Sequence, residues 1–175
     1  MKILAFGATS SRKSINKQLA GYAAGLVPNA EVEVLDINDY EIALFSEDRE
    51  AELGQPQLAK DFLAKIAQAD ALVISFAEHN GSYTAAYKNL FDWSSRIVQK
   101  VYQKKPVVLL ATSPGPGGGQ TVLNAAVGSA PFFEGEVIGS FSLPSFYQNF
   151  DSEKGEIVDQ EKAQQLNDIM AKLAK

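Results

Sequence analysis

The chain contains no cysteine among its 175 residues, and only one histidine and one tryptophan. Without thiols there can be no disulfide, no thiolate metal site and no dithiol redox centre. Any redox chemistry therefore has to come from a bound cofactor. Basic residues are also outnumbered, 16 against 21 acidic ones, which gives a net charge of −5 and a pI near 4.9. That balance argues against binding to nucleic acid or to a membrane surface, because either needs a basic face.

Long hydrophobic runs are missing as well. No stretch reaches the roughly 18 apolar residues of a membrane-spanning helix. The first apolar run, residues 3–6, is too short for a signal peptide. We therefore expect a cytoplasmic protein. Its length and its 46 % share of hydrophobic residues predict a single domain, residues 1–175, with a full hydrophobic core.

The sequence does contain a regular alternation of strand and helix patterns. Apolar runs predict strands at residues 2–7, 71–76 and 106–111. Alternating charged and apolar residues predict an edge or half-exposed strand at 31–35, and a fifth strand is predicted at 136–143. Apolar spacings of three and four predict helices at residues 14–27, 57–69, 84–102, 120–127 and 159–174. Such alternation is typical of α/β proteins with a parallel sheet covered on both faces. Five strands favour the flavodoxin-like three-layer α/β/α sandwich with strand order 2-1-3-4-5, and a Rossmann order stays possible on the number of elements.

Residues 36–56 form a long connection without clear periodicity. Connections of this length in a compact domain are usually functional or interfacial. Four apolar side chains in it would be costly to leave in water: Tyr40, Ile42, Leu44 and Phe45. We expect a subunit interface or the wall of the active site to cover them.

Three polar turns follow three of the predicted strands. In a 2-1-3-4-5 sheet these turns lie side by side, where one ligand can touch all of them. The first, residues 7–16, crowds hydroxyl and amide side chains with Arg12 and Lys13 at a helix start, where free N–H groups and the helix dipole attract an anion. The second, residues 78–82, holds the single histidine. The third, residues 113–119, contains four glycines that let a flat ring approach the backbone.

Other interpretations of the first and third turns stay open. Gly7 followed by Arg12-Lys13-Ser14 has almost the spacing of a P-loop, but Arg12 stands where the second glycine is needed, which disfavours a nucleotide triphosphatase. A plain helix capped by Ser11 or Ser14 is another interpretation. The third turn fails the dinucleotide fingerprint because Gln120 occupies its last position, and a flexible loop fits its composition equally well.

The second turn places Glu78 beside His79, a pair that could serve as acid and base. A lone histidine is more often structural, however. No G-x-S-x-G nucleophile motif and no metal-ligand spacing accompany the pair, so the sequence disfavours a hydrolase or a metalloenzyme.

Residues 78–93, EHNGSYTAAYKNLFDW, resemble the signature P-E-Y-N-x-S-x-x-x-x-L-K-N-A-x-D-W of the NAD(P)H-dependent FMN reductase family. The first turn resembles that family's G-S-x-R-x-x-S-x-N, and residues 113–119 resemble its S-P-G-x-x-G-G. The three motifs occur in the family's order, and the chain length fits. The chain departs from the pattern where Ala77 replaces the usual Pro, where His79 replaces the usual Tyr, and where Ser14 follows Arg12 by two residues instead of three.

The resemblance implies a flavodoxin-like fold, bound FMN, and NADPH or NADH as electron donor. It implies an oxidoreductase that passes hydride through FMN to a small-molecule acceptor such as a flavin, quinone, azo dye or metal oxyanion. No catalytic side chain is then required, since the chemistry is that of the cofactor. A non-catalytic flavodoxin-type electron carrier is the alternative, although the T-x-T-G-x-T phosphate loop of flavodoxins is absent.

The resemblance also implies which residues contact FMN and how subunits associate. In the first turn these are Ser10, Arg12, Ser14 and Asn16 at the phosphate, with Ile15 beside them. The residues implied to lie along the isoalloxazine are Glu78, His79, Asn80 and Gly81 on one edge, and Ser113, Gly115 and Gly118 on the other. A homodimer or a tetramer is implied, and we expect its interface to include the 36–56 connection and the 84–102 helix.

Overall fold

The computed structural model describes residues 1–174, and its centre is a five-stranded parallel sheet. The strands are β1 (Lys2–Ala8), β2 (Glu31–Leu35), β3 (Ala71–Phe76), β4 (Pro106–Thr112) and β5 (Glu136–Leu143). Their order is β2-β1-β3-β4-β5, and every neighbouring pair is parallel. This confirms the predicted flavodoxin-like arrangement. The three inner strands are buried at almost every position, as continuous apolar strands covered on both faces should be.

Helices cover both faces of this sheet. They are α1 (Ile15–Gly25), α2 (Glu47–Leu53), α3 (Gln57–Gln68), α4 (Ala85–Ile97), α5 (Gln120–Ser129), α6 (Phe146–Asn149) and α7 (Gln160–Met170). Two 3-10 turns occupy Ile37–Tyr40 and Ala130–Phe133, and a small hairpin pairs β6 (Phe150–Asp151) with β7 (Glu156–Ile157). None of the helices within residues 1–174 is both long enough and apolar enough to cross a membrane.

Successive side chains of a strand pack into two separate hydrophobic cores, one on each face of the sheet. Along β1, Leu4 and Phe6 join the core under α3, α4 and α5, whereas Ile3 and Ala5 join the core under α1 and α7. This division follows from the two-residue period of a strand, which sends successive side chains to opposite faces. The sheet is therefore the middle layer of a three-layer sandwich.

Helix α4 ends at Ile97, five residues earlier than the predicted end at residue 102. Val101 and Tyr102 are buried, but they reach the core from a turn and not from a helix. Gln103 and Lys104 adopt positive φ angles there, and the Tyr102 N–H donates to the Phe133 carbonyl at 3.0 Å. The chain turns at this point because it has to reverse direction to enter β4.

The 36–56 connection is not a bare loop, since it contains a 3-10 turn and helix α2. Ser46 caps α2 by accepting a hydrogen bond from the Arg49 N–H, and acidic side chains in the first turn suit the helix dipole. No residue of α2 is buried. A helix without a buried stripe has no hydrophobic periodicity, which is why the sequence pattern did not predict it.

The apolar cluster of the connection is largely covered within the protomer. Tyr40 packs edge-on against Phe62 of α3, with ring centroids 5.8 Å apart, and Phe45 packs edge-on against Trp93 of α4 at 5.0 Å. Leu44 is 67 % exposed. Phe45 and Tyr40 therefore have aromatic neighbours within the same chain, and the expectation that a subunit interface or an active-site wall covers the rest of the cluster stays a prediction.

Candidate active site

The loops after β1, β3 and β4 meet at the carboxyl edge of the sheet, because these strands are neighbours. Together with α6 they enclose a cleft of about 290 Å³, close to the lower end (~300 Å³) of small-molecule sites. The residues that line it are Thr9, Ser11, Lys13, Ser14, Ile15, Asn16, Ala77, Glu78, His79, Thr112, Ser113, Pro114 and Tyr147.

The start of α1 forms one wall of the cleft. A Cβ atom on Gly7 would lie 2.6 Å from the backbone nitrogen of Lys17, so only glycine lets β1 and α1 approach this closely. Of the two caps that the sequence allowed, Ser11 and Ser14, the structure uses Ser14, which accepts a hydrogen bond from the Lys17 N–H at 3.0 Å. The first turn of a helix has no internal partners for its N–H groups. The backbones of Ile15 and Asn16 therefore offer free donors at the cleft.

The side chain of Asn16 is turned towards the sheet. Its Oδ1 accepts hydrogen bonds from the Ser75 hydroxyl at 2.7 Å and from the Thr112 N–H at 3.1 Å. Its Nδ2 donates to the Thr112 carbonyl at 3.1 Å, and the residue is only 3 % exposed. The amide thus fastens α1 to the ends of β3 and β4, which gives Asn16 a positioning role.

The loop after β3 is a tight turn. His79 and Ser82 exchange two backbone hydrogen bonds, of 3.0 and 3.1 Å, across Asn80 and Gly81, which both have positive φ. That is the geometry of a type I′ turn, for which Asn-Gly is the preferred sequence. Glu78 accepts a hydrogen bond from the Val122 N–H in the first turn of α5, at 2.9 Å. The carboxylate is thereby anchored at a helix start, where a negative charge is stabilised.

The glycine-rich loop after β4 is held by hydrogen bonds and by packing. The Ser113 hydroxyl donates to the Gly115 carbonyl, and the Ser145 N–H donates to the same oxygen. A Cβ on Gly118 would lie 2.4 Å from the Ser142 Oγ, and its φ is +58°. Gly118 is therefore required for packing against the end of β5, whereas Gly115 faces open space.

The structure brings half of the predicted FMN contacts into the wall of the cleft. These are Ser14, Ile15, Asn16, Glu78, His79 and Ser113. Four others belong to the same loops but do not line the cleft: Asn80, Gly81, Gly115 and Gly118. Ser10 lines a neighbouring cleft of about 410 Å³, together with Tyr40 and Ala85. Arg12 is exposed and stands outside both walls as residues 1–174 form them.

Three residues that the sequence did not single out also shape the site. Thr84 caps α4 by accepting from the Tyr87 N–H, and its hydroxyl donates to the Ala8 carbonyl at 2.9 Å. Its position before an apolar helical pattern was an available signal. The Thr112 hydroxyl donates to the Leu143 carbonyl and ties β4 to β5. Tyr147 had no such signal, because it follows β5 in a stretch without clear periodicity.

The signature residues that follow the β3 turn, between residues 83 and 93, stabilise the fold and do not line the cleft. Asn89 accepts a hydrogen bond from the Phe45 N–H and donates to the Ile42 carbonyl, at 2.8 and 2.9 Å. The Trp93 indole donates to the Ala43 carbonyl at 2.8 Å. These two signature residues hold the 42–45 segment against α4.

The donor set of the cleft fits a flavin mononucleotide. Free N–H groups at a helix start, together with the ammonium of Lys13, match a phosphate. Ala77, Pro114 and Tyr147 supply apolar wall for a flat ring. The lining thus combines convergent polar groups with apolar surface, as cofactor sites do.

Comparisons with known proteins agree with this chemistry. The family model of NADPH-dependent FMN reductases matches residues 1–149. A 2-hydroxy-1,4-benzoquinone reductase from a Burkholderia species is 31 % identical over 99 % of this chain and 94 % of its own length. An NADPH:quinone oxidoreductase from Arabidopsis thaliana is 30 % identical over 84 % of this chain and 74 % of its own.

A solved structure shows the same fold at lower sequence identity. The flavoenzyme NAD(P)H:(acceptor) oxidoreductase FerB from Paracoccus denitrificans has a TM-score of 0.76 and 21 % identity, and the match covers 99 % of this chain and 94 % of FerB. Because the family model covers most of the chain, this protein belongs to the NADPH-dependent FMN reductase family and is an FMN-dependent NAD(P)H oxidoreductase.

Proposed function

We propose that this enzyme reduces quinone-type small molecules with electrons from NAD(P)H, using FMN held in the cleft at the ends of β1, β3 and β4. The observation that carries the proposal is the meeting of the α1 start with the β3 and β4 loops in one cleft. FMN supplies the hydride chemistry when bound, and the protein supplies orientation and electrostatics. Quinones are favoured as acceptors because the relative that matches 99 % of the chain is named for quinone reduction.

The start of α1 is the proposed phosphate site. The backbone N–H groups of Ile15 and Asn16 donate there, and the helix dipole favours the negative charge. Lys13 is the cation in the cleft wall, whereas the Lys17 ammonium lies 2.7 Å from the Asp36 carboxylate and is engaged. All predicted contacts to the phosphate stay predictions, and Ser10 and Arg12 stand outside this wall.

The loops after β3 and β4 are the proposed site of the isoalloxazine ring. Glu78, His79, Ser113 and Pro114 line the cleft, and the type I′ turn and the hydrogen bonds to Gly115 hold both loops in place. Glu78 is committed to the α5 start, which leaves His79 as the exposed titratable side chain of the β3 loop. The protein then orients the ring and leaves hydride transfer to the cofactor.

An FMN titration of the purified protein tests the proposal. We expect uptake of FMN, loss of the flavin absorption on anaerobic addition of NADPH, and its return on addition of a benzoquinone. Lys13→Gln should weaken FMN binding by about 3- to 10-fold, since it removes one charge-assisted contact. Lys60→Gln, on α3 away from the cleft, is the matched control.

Two outcomes would contradict different parts of the proposal. A colourless protein that takes up no FMN would contradict the cofactor site. A protein that binds FMN but shows no steady-state NADPH oxidation with a quinone would point to the electron-carrier alternative.

We further propose a homodimer, or a tetramer built from dimers, that associates through α4 and the 36–56 connection. An apolar cleft of about 300 Å³ between α4 and α5, with Tyr83, Phe91 and Phe133 in its wall, supports this face, as does the exposed Leu44. Light scattering should give at least twice the 18.9 kDa chain mass, and less for Leu44→Asp. A monomeric wild type would contradict the proposed association.

A cytoplasmic location is proposed from the use of NAD(P)H, and cell fractionation tests it.

A further inference from the structure

Helix α6 presents an exposed aromatic ring at the cleft. Tyr147 is 71 % exposed and shares the cleft wall with His79 and Pro114. It belongs to none of the three sequence motifs, which end at residue 119. An exposed aromatic residue is not unusual by itself. Its place on the wall of the proposed flavin cleft is what requires an explanation.

The backbone that carries Tyr147 is fastened to the glycine-rich β4 loop. The Ser145 N–H donates to the Gly115 carbonyl at 2.9 Å, and the Phe146 N–H donates to the Ser113 carbonyl at 3.0 Å. Ser145 is held in the left-handed region, with φ 49° and ψ 58°, which is uncommon for a residue other than glycine. The position of α6 is therefore coupled to the loop that borders the proposed ring site.

The neighbouring side chain directs Tyr147 outward. Phe146 is fully buried and stacks on Phe150, with ring centroids 4.7 Å apart and an interplanar angle of 19°. The Tyr147 ring meets Phe146 edge-on at 5.6 Å and 87°. Because Phe146 is anchored in the core, its neighbour is left on the cleft side. Within residues 1–174, the tyrosine hydroxyls that form hydrogen bonds are those of Tyr83, Tyr87 and Tyr102. The Tyr147 hydroxyl therefore does not help to hold the fold.

We propose that Tyr147 is a ligand-facing residue of this cleft, whose ring packs against the bound FMN. This inference rests on the proposed function, because it requires FMN in the cleft. Aromatic rings prefer offset or edge-on contact with another flat ring and exclude water from it. A tyrosine fixed to the β4 loop supplies such a surface at little entropic cost, since its backbone is already held in place.

The test compares FMN dissociation constants by fluorescence titration of the apoprotein. Tyr147→Ala should raise the dissociation constant by about 3- to 10-fold, and Tyr147→Leu, which keeps bulk without a flat ring, should also raise it. Tyr147→Phe keeps the ring and should stay near the wild-type value. Phe132→Ala is the matched control, because Phe132 is 81 % exposed and precedes β5, whereas Tyr147 follows it. Melting temperatures of all variants check that each is folded.

Each outcome bears on the inference. Weaker binding in Tyr147→Ala and Tyr147→Leu, with normal binding in Tyr147→Phe and Phe132→Ala, supports it. A wild type that binds FMN and a folded Tyr147→Ala that binds it equally well would overturn the role of Tyr147 and leave the proposed function standing. A wild type that binds no FMN would overturn both.

Discussion

Asn16 lies where α1, β3 and β4 meet, and its side-chain amide is bonded to both strands. The resemblance of the first turn to the family motif made it a predicted phosphate ligand. The structure instead bonds its side chain to Ser75 and Thr112. What it offers to the cleft is its backbone N–H, which any residue at this position would provide.

Replacing Asn16 by Ala should therefore lower the stability of the fold more than it weakens FMN binding. The change removes three buried hydrogen bonds and leaves the Ser75 hydroxyl and the Thr112 N–H without a partner. We expect the free energy of unfolding to fall by about 2–3 kcal/mol, measured by urea denaturation. Asn124→Ala on the exposed side of α5 is the control and should change it by less than ~0.5 kcal/mol. Equal stability of the two variants would disprove this role.

A second buried polar contact joins Tyr87 of α4 to Tyr102, whose hydroxyls lie 3.0 Å apart. Burial raises the pKa of both phenols, so both stay neutral at physiological pH. Tyr87→Phe leaves the Tyr102 hydroxyl buried without a partner and should lower the free energy of unfolding by about 1–3 kcal/mol. The double variant Tyr87→Phe with Tyr102→Phe removes the orphaned group and should recover most of that loss in the same urea experiment. A double variant less stable than the single one would contradict this account.

At the scale of elements, the approach of α1 to β1 determines the shape of the phosphate site. The close contact at Gly7 brings the helix start to the end of the strand, and the Lys17–Asp36 ion pair ties the same helix to the end of β2. The close contact and the ion pair both position the free backbone N–H groups at the start of α1, and neither contacts the proposed FMN phosphate.

Gly7→Ala should push α1 away from β1. Its new Cβ would meet backbone atoms of Lys17, which cannot rotate aside. We expect a loss of about 1–3 kcal/mol in the free energy of unfolding, together with weaker FMN binding in a titration. Gly25→Ala lies in the same helix with nothing within 4 Å of its Cβ, so it should be neutral or stabilise by up to ~1 kcal/mol. Similar losses in both variants would show that the close contact is not the cause.

Asp36 makes part of the stability depend on pH. The hydrogen bond from Lys17 and the one from the Asn38 N–H lower the pKa of Asp36 below its usual 3.8. A pKa lower in the folded than in the unfolded state favours folding at pH values above the usual pKa, and this stabilisation is lost as pH falls through the lowered pKa. The melting temperature of Asp36→Asn should therefore fall less than that of the wild type between pH 5 and pH 3. Asp168→Asn on α7 should keep the wild-type slope, and an unchanged slope in Asp36→Asn would refute the assignment.

At the scale of the whole molecule, the cleft joins segments from residue 9 to residue 147. A ligand that bridges them binds the folded chain and not the unfolded one, and it therefore stabilises the fold by mass action. FMN at one hundred times its dissociation constant should add about 2.7 kcal/mol, or about 5–11 °C in melting temperature. Riboflavin at equal concentration should give a smaller shift, because it leaves Lys13 and the α1 start without their phosphate. Equal shifts for the two flavins would contradict the phosphate site.

Most of the architecture could be predicted from the sequence, and each exception has its own physical reason. All five sheet strands were predicted to within one residue at each end. The three inner strands are continuous apolar runs with clear borders, and the edge strand β2 shows the alternation of a half-exposed strand. Helix α2 and the α6–β6–β7 segment were not predicted. The first buries nothing, and the second consists of pieces too short for a period to show. The early end of α4 reflects a reversal of the chain that hydrophobic spacing does not report.

The sequence by itself determined the fold class, the segments that form the sheet strands, the polar loops that follow three of them and the family. All of these depend on residues that are neighbours along the chain, so local patterns report them. Only the tertiary structure decided which side chains face the cleft. Asn16 turns to Thr112, 96 residues away, Ser10 lines a different cleft, and Tyr147 joins the site from beyond β5. Those placements are determined by hydrogen bonds and packing between distant elements, which no local spacing records.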